Sequence, residues 1–199
     1  FLAFEGDVAS ALAAGAARLD APLVDLVGLL PRSAPLVFPI LDPGVGARVA
    51  GAGPLRVPLG LVGPVVAALS ALRAFEPSAA RVVTFEGAAR RDRAGMEELS
   101  AQTRAVFAGQ SLAPEVFPGP VAFGVATSVG DEDDPFGPDD AFRADVRAGL
   151  GDERFDLRVV RTQVPVFTGE GASVEVELAD PPGLETVVDA LSAARGLRA

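Results

Sequence analysis

The sequence predicts an α/β segment near its start, followed by a larger mixed-sheet α+β layer. A helix followed by two apolar strands, as in the early part of the chain, is typical of a parallel α/β unit. The later strands and helices are more typical of helices that cover one side of a sheet. The hydrophobic fraction of 49% and the charged fraction of 22% indicate a globular protein with a buried core.

The first predicted elements are one helix and two short strands. Residues 7–19 form an alanine-rich helical pattern with Asp7 as its expected N-cap. Residues 22–26 and 35–41 are apolar runs, and each predicts a buried strand. The turn Asp42-Pro43-Gly44 ends the second run, because proline fixes φ and glycine allows the chain to reverse.

A second helix is predicted within residues 60–75. Pro64 would lie in its first turn, where the missing N–H has no helical acceptor to lose. Residues 81–85 follow as a strand rich in β-branched side chains. The expected buried side of the helix consists of Val65, Val66, Leu69 and Leu72.

An amphipathic helix is predicted at residues 95–109. Leu99 and Val106 are expected to point into the core. Residues 111–120 contain three prolines and are expected to form an extended connection or loop. The helix positions expected to face water are Glu97, Glu98, Gln102 and Arg104.

The acidic run at residues 131–140 predicts a solvated hinge before a helix at residues 140–150. A metal site is the lesser alternative for this run. Calcium needs more oxygen ligands in a fixed loop than a run broken by prolines supplies. We therefore expect no metal site.

The clearest strand covers residues 172–179, where apolar and polar side chains alternate. The apolar run at residues 155–167 is expected to pair with it. Asp180 is the expected cap of a last helix, with Pro181 at its first position. An α+β layer of this kind can leave one sheet face for a partner. The expected apolar side of the last helix consists of Leu184, Val187, Val188 and Leu191.

The residue types that are absent restrict the chemistry. The chain contains no Cys, His, Lys, Tyr or Trp, so it lacks the usual nucleophiles and near-neutral bases. The formal net charge of −10 argues against nucleic-acid binding, which depends on cationic contacts to phosphates. No signal peptide or long apolar span is visible. We expect a cytoplasmic protein that does not bind membranes.

Six short sequence motifs occur in a characteristic order and spacing. They are AGMEEL at 94–99, QT at 102–103, EVFP at 115–118, AF at 122–123, LGD at 150–152 and VPVFTG at 164–169. Their order and spacing resemble those of the aspartate-semialdehyde dehydrogenase family. The resemblance implies a partial Rossmann-like NAD(P)-binding segment at residues 1–58, without its first βα units, and a semialdehyde dehydrogenase-like dimerisation domain at residues 59–199.

The resemblance also assigns the family's catalytic positions, and each holds a different residue here. The family attacks its substrate with a cysteine in an Asn-Pro-Asn-Cys turn, which matches residues 57–60 with Gly60 at the nucleophile position. Glu86 takes the place of the glutamine near the acyl intermediate. Gln163 takes the place of the arginine that binds the substrate carboxylate, and Glu170 that of the acid/base histidine. The resemblance therefore implies a loss of catalysis.

The cofactor positions are changed as well. The family's glycine-rich loop beside the cofactor matches residues 89–93. Arg90, Arg91 and Arg93 stand there in place of residues whose lack of a side chain lets the loop approach the cofactor. Asp42 replaces an asparagine and would repel an anionic cofactor. We expect no cofactor, and NADP only if activity or nucleotide binding is retained.

The first hypothesis is a catalytically inactive family member that acts as a dimerising scaffold or regulatory paralogue. The resemblance implies a homodimer, or a heterodimer with an active relative. The alternative is an active or altered NADP-dependent semialdehyde dehydrogenase-type oxidoreductase of amino-acid biosynthesis. Such an enzyme would use Glu86 and Glu170 as a carboxylate pair. Against this stands the simpler reading that both are tolerated polar residues in an open cleft.

A further hypothesis is anion binding by Arg90, Arg91 and Arg93 at the start of the helix that contains Gly95. The simpler interpretation is a solvated loop in which nearby carboxylates offset these charges. We favour this second interpretation. The offsetting residues are Asp92, Glu97 and Glu98.

Overall fold

The computed structural model describes residues 15, 23–26, 28, 30–42, 44–45, 53–127 and 139–198. Apart from residue 15, the predicted helix at residues 7–19 lies outside these ranges, as does most of the acidic run at residues 131–140. The described residues fall into two compact units. Unit 1 contains the described parts of Phe1–Phe75, Asp145–Arg154 and Pro181–Ala199, and unit 2 contains those of Glu76–Ala144 and Phe155–Asp180.

The described elements confirm the predicted mixture of α/β and α+β structure, with a mixed sheet and four helices. Among these residues, no helix is long and apolar enough to cross a membrane. The strands are β1 Val24–Asp25, β2 Leu55–Arg56, β3 Pro77–Glu86, β4 Ala126–Thr127, β5 Asp156–Gln163 and β6 Glu170–Leu178. The helices are α1 Val62–Ala71, α2 Asp92–Phe107, α3 Asp139–Leu150 and α4 Leu184–Ala193.

Unit 1 contains a small parallel sheet in which β1 pairs with β2. The predicted strand at residues 22–26 is therefore confirmed in its central part. The strand predicted at residues 35–41 is wrong, since only Leu36 forms an isolated bridge, to Arg56. Its two prolines lack the N–H groups that a strand ladder requires, and the chain turns after Phe38 instead.

The helices of unit 1 agree only in part with their predictions. Helix α1 is confirmed, with Pro64 in its first turn and all four expected apolar side chains buried. Helix α4 begins at Leu184 after Gly183, so the predicted start at Asp180 and Pro181 is wrong. Pro182 directly follows Pro181, and a residue before proline is pushed out of the helical region. In the structure the helix begins after this pair.

Unit 2 is built on a four-stranded mixed sheet with the order β4-β5-β3-β6. Strand β3 lies between β5, to which it is parallel, and β6, to which it is antiparallel. The predicted pairing of residues 155–167 with residues 172–179 is therefore wrong. The connection from β5 to β6 passes the end of β3 and is held there, because Ala88 and Ala89 donate their N–H groups to Val166 and Phe167.

Helix α2 is present, but its buried side differs from the prediction. Leu99 is buried as expected, whereas Val106 is exposed. Glu98 and Gln102, expected in water, are buried. The physical reason is the extended segment after α2, whose backbone N–H groups need acceptors. Leu99 packs in a small apolar cluster with Ala88, Phe117 and Val121.

Glu98 and Gln102 act as acceptors for this segment. The Glu98 carboxylate accepts hydrogen bonds from the backbone N–H groups of Glu115 (2.9 Å), Val116 and Phe117 (3.4 Å). Gln102 donates to Glu98 (2.8 Å) and accepts from Val121 and Ala122. We call these two side chains the amide clamp. It fixes the proline-containing segment on α2.

Candidate functional site

Three of the four family positions lie in one row across the sheet of unit 2. Glu86 is the last residue of β3 and pairs with Gln163, the last residue of β5. On its other side Glu86 pairs with Glu170, the first residue of β6. Residues that are paired across strands project from the same face of a sheet. The fold therefore brings together side chains that are 77 and 84 positions apart in sequence.

Glu86 is fully buried, at 0% exposure, and its carboxylate is paired with cations. Arg161, also buried, donates from Nε to Oε1 of Glu86 at 2.9 Å and from Nη2 to Oε2 at 3.1 Å. The Thr84 hydroxyl donates to Oε1 at 2.8 Å. A bidentate arginine–carboxylate contact is stronger and more specific in its geometry than a hydrogen bond between neutral groups. Glu86 is thus held in a fixed geometry.

A second arginine joins Glu86 to Glu170. Arg90 lies in a short helical turn after β3, with its Nε 2.9 Å from Oε2 of Glu86. Its Nη1 is 3.5 Å from Oε1 of Glu170, whose side chain is 26% exposed. Glu86, Arg90, Arg161 and Glu170 form what we call the charge cluster. Its two arginines and two carboxylates balance each other.

The turn that carries Arg90 is packed tightly against the β5–β6 connection. A Cβ atom on Gly87 would lie 2.6 Å from the carbonyl oxygen of Gly169. Such a distance is far too short for two non-bonded atoms, so only glycine fits at position 87. The backbone after β3 is therefore closed against residues 166–169, and Arg90 is held beside Glu170.

The side chain of Gln163 is hydrogen-bonded to the backbone. Its side chain is buried, and Nε2 donates to the carbonyl oxygens of Glu86 (2.6 Å) and Val164 (3.3 Å). Its Oε1 is buried and has no hydrogen-bond partner within the described ranges. This neutral amide supplies no positive charge where the resemblance places the arginine that binds a carboxylate.

The expectation of an open cleft is wrong for Glu86. Glu86 and Glu170 face the same arginine, and one of them has no contact with solvent. Arg161 is the residue that the sequence reasoning missed. A signal for it existed, because Arg161 has the same strand parity as the buried Leu157 and Val159. An arginine at a buried strand position requires a nearby counter-charge.

The three candidate arginines of the anion-binding hypothesis have different partners. Arg90 belongs to the charge cluster, and the Arg91 guanidinium lies 5.7 Å from the ring centre of Phe117. Arg93 is exposed, and its Nε lies 2.6 Å from Oε1 of Glu97. The hydrogen bond and charge of Glu97 raise the pKa of Arg93 above its ordinary value. The described contacts of the three arginines are thus with different groups: two carboxylates, an aromatic ring and the carboxylate of Glu97.

Gly60 belongs to unit 1 and lies in the turn that precedes α1. Its φ of 54° is in the left-handed region, which glycine adopts without strain. The position that the resemblance assigns to a nucleophile thus carries no side chain. Over the described ranges, no three carboxylates lie close enough together to hold a metal ion.

Curated relatives match part of the chain. The USG-1 protein homolog of Pseudomonas aeruginosa is 33% identical over 107 residues, which cover 53% of this chain and 32% of that protein. The aspartate-semialdehyde dehydrogenase of Rickettsia bellii is 29% identical over 126 residues, covering 61% and 37%. The chain thus spans less than half of either relative. No protein-family model matches it.

Solved structures match nearly all of the chain. A probable aspartate-semialdehyde dehydrogenase from Pseudomonas aeruginosa has a TM-score of 0.78 at 28% identity, covering 95% of this chain and 58% of that one. Aspartate semialdehyde dehydrogenase II from Vibrio cholerae has a TM-score of 0.83 at 22% identity, with the same coverage. The Candida albicans enzyme with NADP has a TM-score of 0.62 at 15% identity, covering 96% and 54%. The last two structures are 22% and 15% identical to this chain, and their similarity shows only a shared fold.

Proposed function

We propose a function from one premise, that the chain is an aspartate-semialdehyde dehydrogenase-like protein. The proposed function is that of a catalytically inactive member, which acts as a dimerising scaffold or regulatory paralogue. Because the chain spans only part of its relatives, the activity that their names describe is not transferred to it.

The charge cluster is the observation that carries this proposal. A site that binds an acidic substrate needs a cation whose charge is available to the substrate. In the charge cluster the charges of Arg90 and Arg161 are balanced by those of Glu86 and Glu170. Opening the cluster for a ligand would leave buried charges unpaired, which costs about 3–5 kcal/mol for each broken pair. The cluster therefore supports a structural role for this row.

The residue inventory supports the same proposal. Acyl transfer of the family type needs a sulfur nucleophile and a base that titrates near neutral pH. The chain has no cysteine and no histidine, and Gly60 stands at the assigned nucleophile position. Glu86, one member of the alternative carboxylate pair, is fully buried and paired, which also supports the proposal.

The decisive experiment is an assay of phosphate-dependent NADP reduction with aspartate semialdehyde. We expect no rate above the buffer blank, with the Rickettsia bellii relative as positive control. Calorimetry with NADP, the cofactor present in the Candida albicans structure, is expected to give no binding heat. Turnover by a pure sample would instead support the alternative of an active or altered NADP-dependent semialdehyde dehydrogenase.

The scaffold part of the proposal concerns partners. We expect a homodimer, or a heterodimer with an active relative, in the cytoplasm and without nucleic acid or membrane. Light scattering on the purified chain, alone and mixed with an active relative, measures this directly. A monomer in both samples would contradict the scaffold role, whatever the outcome of the activity assay.

A further inference from the structure

The two arginines of the charge cluster hold Glu86 in different ways. Arg161 is 0% exposed and donates two hydrogen bonds to the Glu86 carboxylate from the neighbouring strand β5. Arg90 belongs to the short turn after β3, and its Nε forms an ion pair with Oε2 of Glu86 at 2.9 Å. The Thr84 hydroxyl of β3 also donates to Glu86. Glu86 therefore keeps its partners on β3 and β5 when the side chain of Arg90 is removed.

The turn that carries Arg90 is held by its backbone. The N–H groups of Ala88 and Ala89 donate to the carbonyl oxygens of Val166 and Phe167, each at 2.8 Å. These hydrogen bonds do not involve a side chain. Loss of the Arg90 side chain beyond Cβ should therefore leave the turn in place and open a preformed space beside the sheet.

Two carboxylates line this space. Glu86 and Glu170 are paired across β3 and β6, so their side chains begin about 5 Å apart on the same face of the sheet. Like charges directly opposite each other in a sheet are destabilising. The guanidinium of Arg90 contacts both, and its Nη1 is 3.5 Å from Oε1 of Glu170. The space therefore requires a cation, which the chain supplies from its own turn.

The shape of the cation matters as well as its charge. A guanidinium is planar and presents N–H donors in several directions, so one group can reach both carboxylates. An ammonium is a compact and strongly hydrated point charge, which fits this arrangement less well. The side chain of Glu170 is 26% exposed, so one end of the space reaches solvent. A small guanidinium ligand can enter from this end.

We propose that Glu86 and Glu170 form a binding site for a guanidinium cation, and that Arg90 is its built-in occupant, which keeps the site closed in the unmodified chain. The ligand class is a guanidine or amidine cation with a short alkyl chain. The positions that the resemblance assigns to a glutamine and a histidine have thus become acceptors for a cation. This inference goes beyond the scaffold function and applies equally to a monomer and to a dimer.

The test replaces the built-in occupant by a free one. Arg90→Ala removes a fragment that corresponds to ethylguanidinium, so this cation is the probe. At about ten times its Kd, the Tm of Arg90→Ala is expected to rise by about 3–6 °C. The unmodified chain and Arg93→Ala, which loses an exposed arginine paired with Glu97, are the controls and should shift by less than about 1 °C. Thermal melts followed by circular dichroism at matched ionic strength measure all three proteins.

Matched cations test the selectivity of the site. Ethylammonium has the same charge and alkyl chain without the planar fork, and Mg²⁺ tests whether the two carboxylates bind a metal ion instead. Neither is expected to raise the Tm of Arg90→Ala by more than about 1 °C. Arg90→Met fills the space with an uncharged chain and is expected to respond just as little to ethylguanidinium. Equal responses to the three cations, or no response of Arg90→Ala to ethylguanidinium, would overturn the proposed site.

A second measurement applies if Arg90→Ala does not fold alone. The variant is then refolded from urea with ethylguanidinium or with the same concentration of ethylammonium, and the recovered circular dichroism signal is compared. A higher yield with ethylguanidinium would support the site, and equal yields would overturn it. Both measurements are independent of the NADP assay and of light scattering, so the scaffold function stands or falls separately.

Discussion

Among the described residues of unit 2, two buried carboxylates are compensated in different ways. Glu86 is 0% exposed and is held by the guanidinium groups of Arg161 and Arg90. Glu98 is 8% exposed and is held by backbone N–H groups and the amide of Gln102. The first carboxylate is compensated by opposite charges, and the second by neutral dipoles. Both arrangements satisfy a buried charge, but they leave different groups behind when the charge is removed.

The two sites differ in the groups that surround the carboxylate once its charge is removed. Loss of the charge at Glu86 leaves two buried cations without full compensation, and a buried unpaired charge is among the most expensive defects in a protein. Loss of the charge at Glu98 leaves neutral donors, which keep weaker hydrogen bonds to a remaining oxygen. The chain should therefore tolerate neutralisation of Glu98 much better than neutralisation of Glu86.

The largest effect is expected for Glu86→Gln, which restores the residue that the resemblance places there. The substitution should lower the free energy of unfolding by about 3–5 kcal/mol, because Arg161 and Arg90 lose their shared counter-charge. Urea denaturation followed by far-ultraviolet circular dichroism is the suitable measurement, since the chain contains no tryptophan or tyrosine.

A second substitution provides the control. Glu86→Gln combined with Arg161→Met removes one of the stranded cations and is expected to recover much of the lost stability. The recovery would show that the loss arises from charge and not from the shape of glutamine. If Glu86→Gln alone is no less stable than Glu98→Gln, the contrast between the two sites is contradicted.

An intermediate effect is expected for Glu98→Gln. The amide keeps one acceptor oxygen but loses the charge that strengthens the bonds from Glu115 and Val116, so the free energy of unfolding should fall by about 1–3 kcal/mol. Glu97→Gln, one position earlier on the exposed side of α2, is the control; it weakens only the exposed pair with Arg93 and should change the denaturation midpoint little. Equal losses of unfolding free energy in both variants would contradict a stabilising role for the amide clamp.

The smallest effect is expected for Gln102→Leu, which deprives the N–H groups of Val121 and Ala122 of their acceptor. The expected loss is about 1–2 kcal/mol, because the partly buried Ala122 N–H can still turn toward water. Hydrogen exchange should accelerate at residues 121 and 122 more than in β3. Uniform acceleration over the whole of unit 2 would mean that the clamp stabilises the unit globally.

Helices were easier to predict from the sequence than strands. Helix α1 and its buried side followed from spacing alone, because one apolar stripe decides which way a helix faces. The partner of a strand is not encoded in its own pattern. Strands β5 and β6 are consecutive in the chain, yet β3 lies between them. Local periodicity contains no information about that insertion.

The candidate site was predictable in its members but not in its contacts. The resemblance named Glu86, Gln163 and Glu170, and the sheet places them in one row. The role of Arg161 depends on a contact 75 positions away, which no local pattern shows. Glu98 was misassigned for a related reason, since a glutamate on a helix is normally solvated and its acceptor role depends on a loop that follows 17 residues later.

The central position of β3 has a consequence for biosynthesis. Its neighbour β5 begins at Asp156, 70 positions after β3 ends at Glu86, and β6 follows later still. At the usual elongation rates, β3 waits about 4–15 s on the ribosome before β5 can pair with it. During this interval both of its edges are open to other nascent chains. Production of this protein should consequently benefit from slow expression at low temperature and from chaperones that shield unpaired strands.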